Sequence, residues 1–203
     1  MYRFGFSAAA GFVAAFAGLP AVAEAPPPPR PRPASEVCGD PALVGAPIAA
    51  IADEGGCGIA APVSLVEAAG VVLEPPATVA CGTARALGAW LEGGGKAAFA
   101  AGLEAIVVVD AYSCRNRNRA EDGELSEHAL GNAIDIAGFR LGDGRIVTVR
   151  EGWGSPEWEA TLRRLHRAGC GPFGTALGPE ANPLHADHLH FDVETRRSGP
   201  YCR

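Results

Sequence analysis

Asp187-His188-Leu189-His190-Phe191-Asp192-Val193 alternates polar and apolar side chains one by one. A β-strand points successive side chains to opposite faces, so the stretch predicts a strand over 189–193. Leu189, Phe191 and Val193 then face a core, and His188, His190 and Asp192 share the other face. Imidazole and carboxylate on one face are the ligand types that a borderline cation such as zinc takes when thiolate is absent.

The rest of the chain supports that reading. Of its five histidines, a second one that matters lies in Ser126-Glu127-His128-Ala129-Leu130-Gly131-Asn132-Ala133-Ile134-Asp135. Residues 132–139 read as another strand, with Asp135 facing away from Ile134 and Ile136. If the two strands lie side by side, Asp135 and His190 converge, and His128 joins them from a loop that Gly131 lets turn tightly. Three protein ligands, His128, Asp135 and His190, leave a fourth position for water, as a hydrolytic zinc site requires.

Asp187, three residues before His190, has the place of a general base. His188 is expected behind the ligands or against a developing oxyanion, since a fourth protein ligand would close the site. Ser126 is placed to hydrogen-bond near the metal, and Arg115 and Arg117 to receive a substrate carboxylate in bidentate fashion. His185 reads as a loop residue and His166 as a solvated or boundary side chain on its helix.

Elsewhere, helices are expected over 62–69, 83–91 and 155–168, the last with Ser155 as its cap. Strands are expected over 105–109 and 145–149, the latter after a turn at Gly142-Asp143-Gly144. The fold class is α+β, a small, mostly antiparallel sheet with flanking helices.

Residues 1–23 read as an export signal: Arg3, an apolar core, then Ala21-Val22-Ala23. Residues 24–35 form a proline-rich linker of extended character. Residues 36–203 are one domain's length. With the signal removed no transmembrane segment remains, and the product is periplasmic or secreted. Six cysteines, none in a C-x-x-C pair, read as three disulfides in an oxidising compartment. Loop closure favours Cys170–Cys202, which straps the Gly- and Pro-rich segment feeding the final strand. Cys38–Cys57 and Cys81–Cys114 take up the rest. A formal charge of −6 without a basic stripe argues against nucleic acid as a partner.

On Ala111-Tyr112-Ser113-Cys114-Arg115, Arg117-Asn118, the Ser126–Asp135 segment and the 185–192 segment, the chain resembles the bacterial extensin-like C-terminal domain family. More distantly, S-x-H-x2-G-x-A-x-D and D-x-x-H are similar to the zinc D-Ala-D-Ala carboxypeptidases and peptidoglycan endopeptidases grouped with lysostaphin and hedgehog. That resemblance implies a hedgehog-like fold, zinc on His128, Asp135 and His190, a base at Asp187, and a substrate edge around Tyr112 with an arginine beside it. The peptidases set arginine directly after the tyrosine, whereas Ser113-Cys114 precede Arg115 here. The implied function is a monomeric zinc metallopeptidase, carboxypeptidase or endopeptidase, acting on peptidoglycan stem peptides or cross-links. The alternative is a metal-stabilised cell-wall binding module without turnover.

Overall fold

The computed structural model describes residues 34–203 together with Met1. The expected export signal and the proline-rich linker as far as residue 33 lie outside the described residues. Twelve strands and three α-helices follow one another in the described part. β1 (Ser35–Val37), β2 (Asp40–Pro47), β3 (Ile51–Ala52), β4 (Gly58–Ile59), β5 (Pro62–Ala68) and β6 (Val71–Ala80) precede α1 (Cys81–Trp90). Then come β7 (Leu103–Asp110), β8 (Ala133–Leu141), β9 (Ile146–Thr148), α2 (Val149–Gly152), α3 (Glu159–Ala168), β10 (Thr175–Leu177), β11 (Leu189–Asp192) and β12 (Tyr201–Cys202). The class is α+β and dominated by sheet.

The sheet is larger than expected. It has ten strands, ordered β1-β2-β5-β6-β7-β8-β11-β10-β12 with β9 on the far half of β8, and β3–β4 form a separate pair. Pairing is antiparallel except for β6–β7 and β10–β12. The helix expected over 62–69 is strand β5. Pro62 sits at the strand's first residue, where its missing N–H costs least, and Val63 and Leu65 drop into the core between β2 and β6. Packing on both edges overrides the helical propensity of Ala and Glu there. α3 begins at Glu159, because Ser155 caps a tight turn that carries Trp158 in first.

One sheet face is closed by α1 and α3. Trp90 is fully buried, donates its indole N–H to the Leu165 carbonyl at 3.0 Å and lies 5.2 Å from the Phe191 ring. Phe173 stacks on Phe191 at 4.9 Å, and Ile134, Ile136 and Leu189 complete the same layer. Burying this face therefore obliges Asp135, His190 and Asp192 to point the other way.

Three disulfides fasten the periphery. Cys170 is bonded to Cys202, but the other pairs are Cys38–Cys81 and Cys57–Cys114, not Cys38–Cys57 and Cys81–Cys114. The β1–β2 turn carrying Cys38 lies on the start of α1, where Arg85 donates to the Cys38 carbonyl. The β3–β4 pair lies beside the edge that holds Cys114. Sheet order, not nearness in sequence, brings these sulfurs together. Closing loops of 43 and 57 residues stabilises by about 4 kcal/mol each in the chain-entropy picture. Such bridges suit an oxidising compartment. Among the described residues no helix is long and apolar enough to cross a membrane.

Candidate metal centre

β8 and β11 run antiparallel as direct neighbours, and His190 is the cross-strand partner of Asp135. Their side chains meet on the polar face: His190 Nδ1 lies 2.8 Å from Asp135 Oδ1. His128 arrives from the one-turn helix Glu127–Leu130, capped by Ser126, whose hydroxyl accepts from the His128 N–H at 3.4 Å. The turn ends at Gly131 with φ +68°, and its carbonyl accepts from Ala80 N–H and the Thr83 hydroxyl. His128 Nε2 thereby lies 3.2 Å from Asp135 Oδ1 and 3.1 Å from His190 Nδ1. The three ligand atoms fall within 4.8 Å of one another, and all three residues are buried.

The outward nitrogens decide what this cluster is suited to hold. His128 Nδ1 is 2.6 Å from the Ala111 carbonyl, and His190 Nε2 is 3.0 Å from Asp192 Oδ2. Both acceptors lack protons, so each outward nitrogen has a partner to donate to, and the inward nitrogen is the one placed for a metal. Two imidazole nitrogens and a carboxylate oxygen at mutual distances of 2.8–3.2 Å form a set that could hold a metal ion. Tetrahedral zinc ligands stand roughly 3.3 Å apart, so little movement is needed to accept one.

Burial alone would raise the Asp135 carboxyl, but hydrogen bonds and charge from His128 and His190 hold it well below the usual carboxylate range. Burial opposes a charged His190, yet Asp135 and Asp192 push it up to about 9. The Asp192 carboxyl is itself held low: burial opposes this, and the hydrogen bond to His190 outweighs it. The carboxylates of Asp135 and Asp192 thus stay ionised against burial, one on each side of the His190 ring.

His188 is close by but is not one of the three converging groups. Its Nδ1 lies 2.9 Å from Asp187 Oδ1, and its Nε2 faces Asp135 Oδ2 at 3.5 Å. Asp187, read from the sequence as the base, is occupied on both oxygens, by His188 and by Arg150. The hydrogen bond from His188, followed by that from Arg150, keeps its carboxyl low. The turn before β11 therefore aims Asp187 at His188 instead of at the ligand cluster.

Among the expected substrate groups, Ser126, Arg115 and Arg117 line a cavity of about 350 Å³ that opens on the cluster. Arg115 is tied to Asp110 at 2.9 Å and to the Ser126 hydroxyl at 3.3 Å. Arg117 is held by Glu124, Glu127 and Glu194. Tyr112 is turned away from the cavity. Its hydroxyl donates to Asp53 at 2.6 Å, which, with that carboxylate's charge, raises the phenol to about 12.

Sequence reasoning missed two groups. His185 belongs to the site: its ring lies 5.2 Å from His188 and 5.7 Å from His190, and its Nδ1 is held by Asn182 at 3.0 Å. Burial first, then the neighbouring histidines, push it down to about 4. The H-x-x-H-x-H spacing carried that signal. Asp192 holds His190 from behind, and the strand alternation had already set it on the ligand face. His166, in contrast, is buried instead of solvated, with its Nε2 at 3.1 Å from the Ala176 carbonyl.

Residues 39–203 match the model of the family described as extensin-like protein C-terminus, and the chain belongs to that family. No curated protein and no solved structure matches it.

Proposed function

We propose that this extensin-like domain is a zinc-dependent peptidase of the cell envelope that cuts stem peptides or cross-links of peptidoglycan. The observation that carries the reading is the inward convergence of two imidazole nitrogens and one carboxylate oxygen. Each imidazole is backed by its own acceptor, and the group borders an open cavity. His128, Asp135 and His190 would hold the zinc. When bound, it supplies Lewis acidity toward a scissile carbonyl and toward water.

The remaining chemistry falls to side chains already in place. His188 takes the role of proton carrier, because Asp187 fixes its Nδ1–H and leaves Nε2 facing the reacting position. Asp187 serves as its orienting partner. Arg115 borders the same cavity, where Asp110 and the Ser126 hydroxyl hold its guanidinium in place and its positive charge favours a developing oxyanion. Asp192 and the Ala111 carbonyl keep the two imidazoles in the ligand tautomer.

Digestion of purified peptidoglycan by zinc-loaded protein, with a chelator control and mass analysis of released fragments, tests the proposal. Fragments cut at peptide bonds, lost on chelation, support it. Binding to sacculi without release would make the domain the metal-stabilised binding module instead.

A further inference from the structure

Two cavities meet at the cluster. One, of about 350 Å³, reaches toward Leu184 and Tyr201; the other, of about 460 Å³, reaches toward Val109 and Arg150. Asp135, His188 and Arg119 line both. The reacting position therefore has open space on two sides. Each side also offers an exposed apolar foothold, Leu184 at 55% exposure and Val109 at 57%.

Arg119 differs from the two arginines before it. Arg115 and Arg117 are spent on carboxylates, whereas among the described residues the Arg119 guanidinium has neither a hydrogen-bond nor an ion-pair partner. Its backbone is strained as well: Asn118 and Arg119 both have φ +56°, a region that arginine rarely adopts. The loop is braced to hold this shape. Asn116 Nδ2 donates to the Ala120 and Glu121 carbonyls, Arg117 N–H donates to the Glu124 carbonyl, and Asn116 bridges Leu125. Glycine would serve the turn alone. A strained arginine held firmly at the junction of two cavities is the arrangement of a ligand clamp.

We infer that the cleft takes a chain passing through it, not a chain end, and that Arg119 anchors this chain by a carboxylate carried along its length. The inference rests on the peptidase reading and names its substrate class, an internal stretch of acidic peptide. A planar guanidinium with free donors receives such a carboxylate by two parallel hydrogen bonds.

The test is calorimetric titration of zinc-loaded full chain in a His188→Ala background, which blocks turnover. The probes are a cross-linked peptidoglycan dimer fragment and the uncross-linked monomer, each with its carboxylates free or amidated. The free dimer should bind about tenfold tighter than the amidated dimer or the free monomer, the scale of one charged hydrogen-bonded contact. Arg119→Gly, which keeps the backbone relaxed, should weaken the free dimer by about tenfold and leave the amidated dimer unchanged, and Arg119→Lys should recover part of the loss. Equal binding of monomer and dimer overturns the passing-chain geometry. A preference for free carboxylates that survives in Arg119→Gly overturns the anchor. Both results leave the peptidase reading standing, whereas no binding of either fragment removes that reading and the inference together.

Discussion

Asp192 stands directly behind His190, with its Oδ2 3.0 Å from Nε2, while the opposite ring nitrogen faces Asp135 at 2.8 Å. The carboxylate fixes which nitrogen carries the proton and raises the basicity of the other. An Asp192→Asn variant keeps the shape but lets an amide compete as a donor. Zinc affinity should fall by about 10- to 100-fold, read by competition with a chromophoric chelator, while the far-UV spectrum stays unchanged. Unaltered affinity would mean that the imidazole is oriented by something else.

Zinc should bind one per chain and stabilise the fold. At free metal a hundredfold above Kd the gain is about 2.7 kcal/mol, visible as a rise in Tm that a chelator reverses. His128→Ala/His190→Ala should show no bound zinc and no such rise. Stoichiometric zinc in that double variant refutes the ligand set.

His188→Ala should retain zinc and lose turnover by roughly two to four powers of ten. Asp187→Asn should retain zinc and lose less, because it orients the imidazole without replacing it. A larger loss in Asp187→Asn than in His188→Ala would return the role of base to Asp187.

How much of this site was legible follows from where each residue's partner lies. Strand alternation in 187–193 and around Asp135 places His190 and Asp135 on one face, and their cross-strand pairing completes what period-two patterning began. The contact of Asp187 with Arg150 is not legible, because Arg150 comes from α2, distant in sequence. Arg117 depends on Glu194, 77 residues away, and His185 on the side chain of Asn182. β5 was invisible for a related reason. Its seven residues mix helix formers (Leu65, Glu67, Ala68) with β-branched Val63 and Val66, and pairing with β2 and β6 on both edges decides for the strand.

His166 supplies a pH dependence separate from the metal. Burial lowers its pKa, with the Ala176 carbonyl opposing only in part. The folded form therefore binds a proton less readily than the unfolded chain, whose imidazole titrates near 6.5. Stability from this group is complete above about 6.5 and declines as pH falls from there toward the depressed folded value. Urea midpoints compared between the parent and His166→Phe, both with chelator, should diverge in the parent's disfavour on going from pH 7.5 to 5. Parallel profiles would show that this ring contributes nothing to the pH dependence.

Gly131 ties the metal cluster to the core, and its replacement should be felt in both. Its φ of +68° disfavours any Cβ, and an added methyl would sit 2.2 Å from Ile59 Cδ1 and 3.1 Å from the backbone N of Ala80. The Ile59 side chain can shift; the Ala80 backbone is fixed by its 2.9 Å hydrogen bond to the Gly131 carbonyl. Left-handed strain of about 1–2 kcal/mol and overpacking of about 1–3 kcal/mol act together, so Gly131→Ala should lose about 2–5 kcal/mol in urea unfolding. Because the same carbonyl anchors the turn that presents His128, the variant should also bind zinc more weakly than the parent under conditions where it remains folded. Loss of stability with unchanged zinc affinity would show that the position of His128 is set from Ser126 and Ala111 alone.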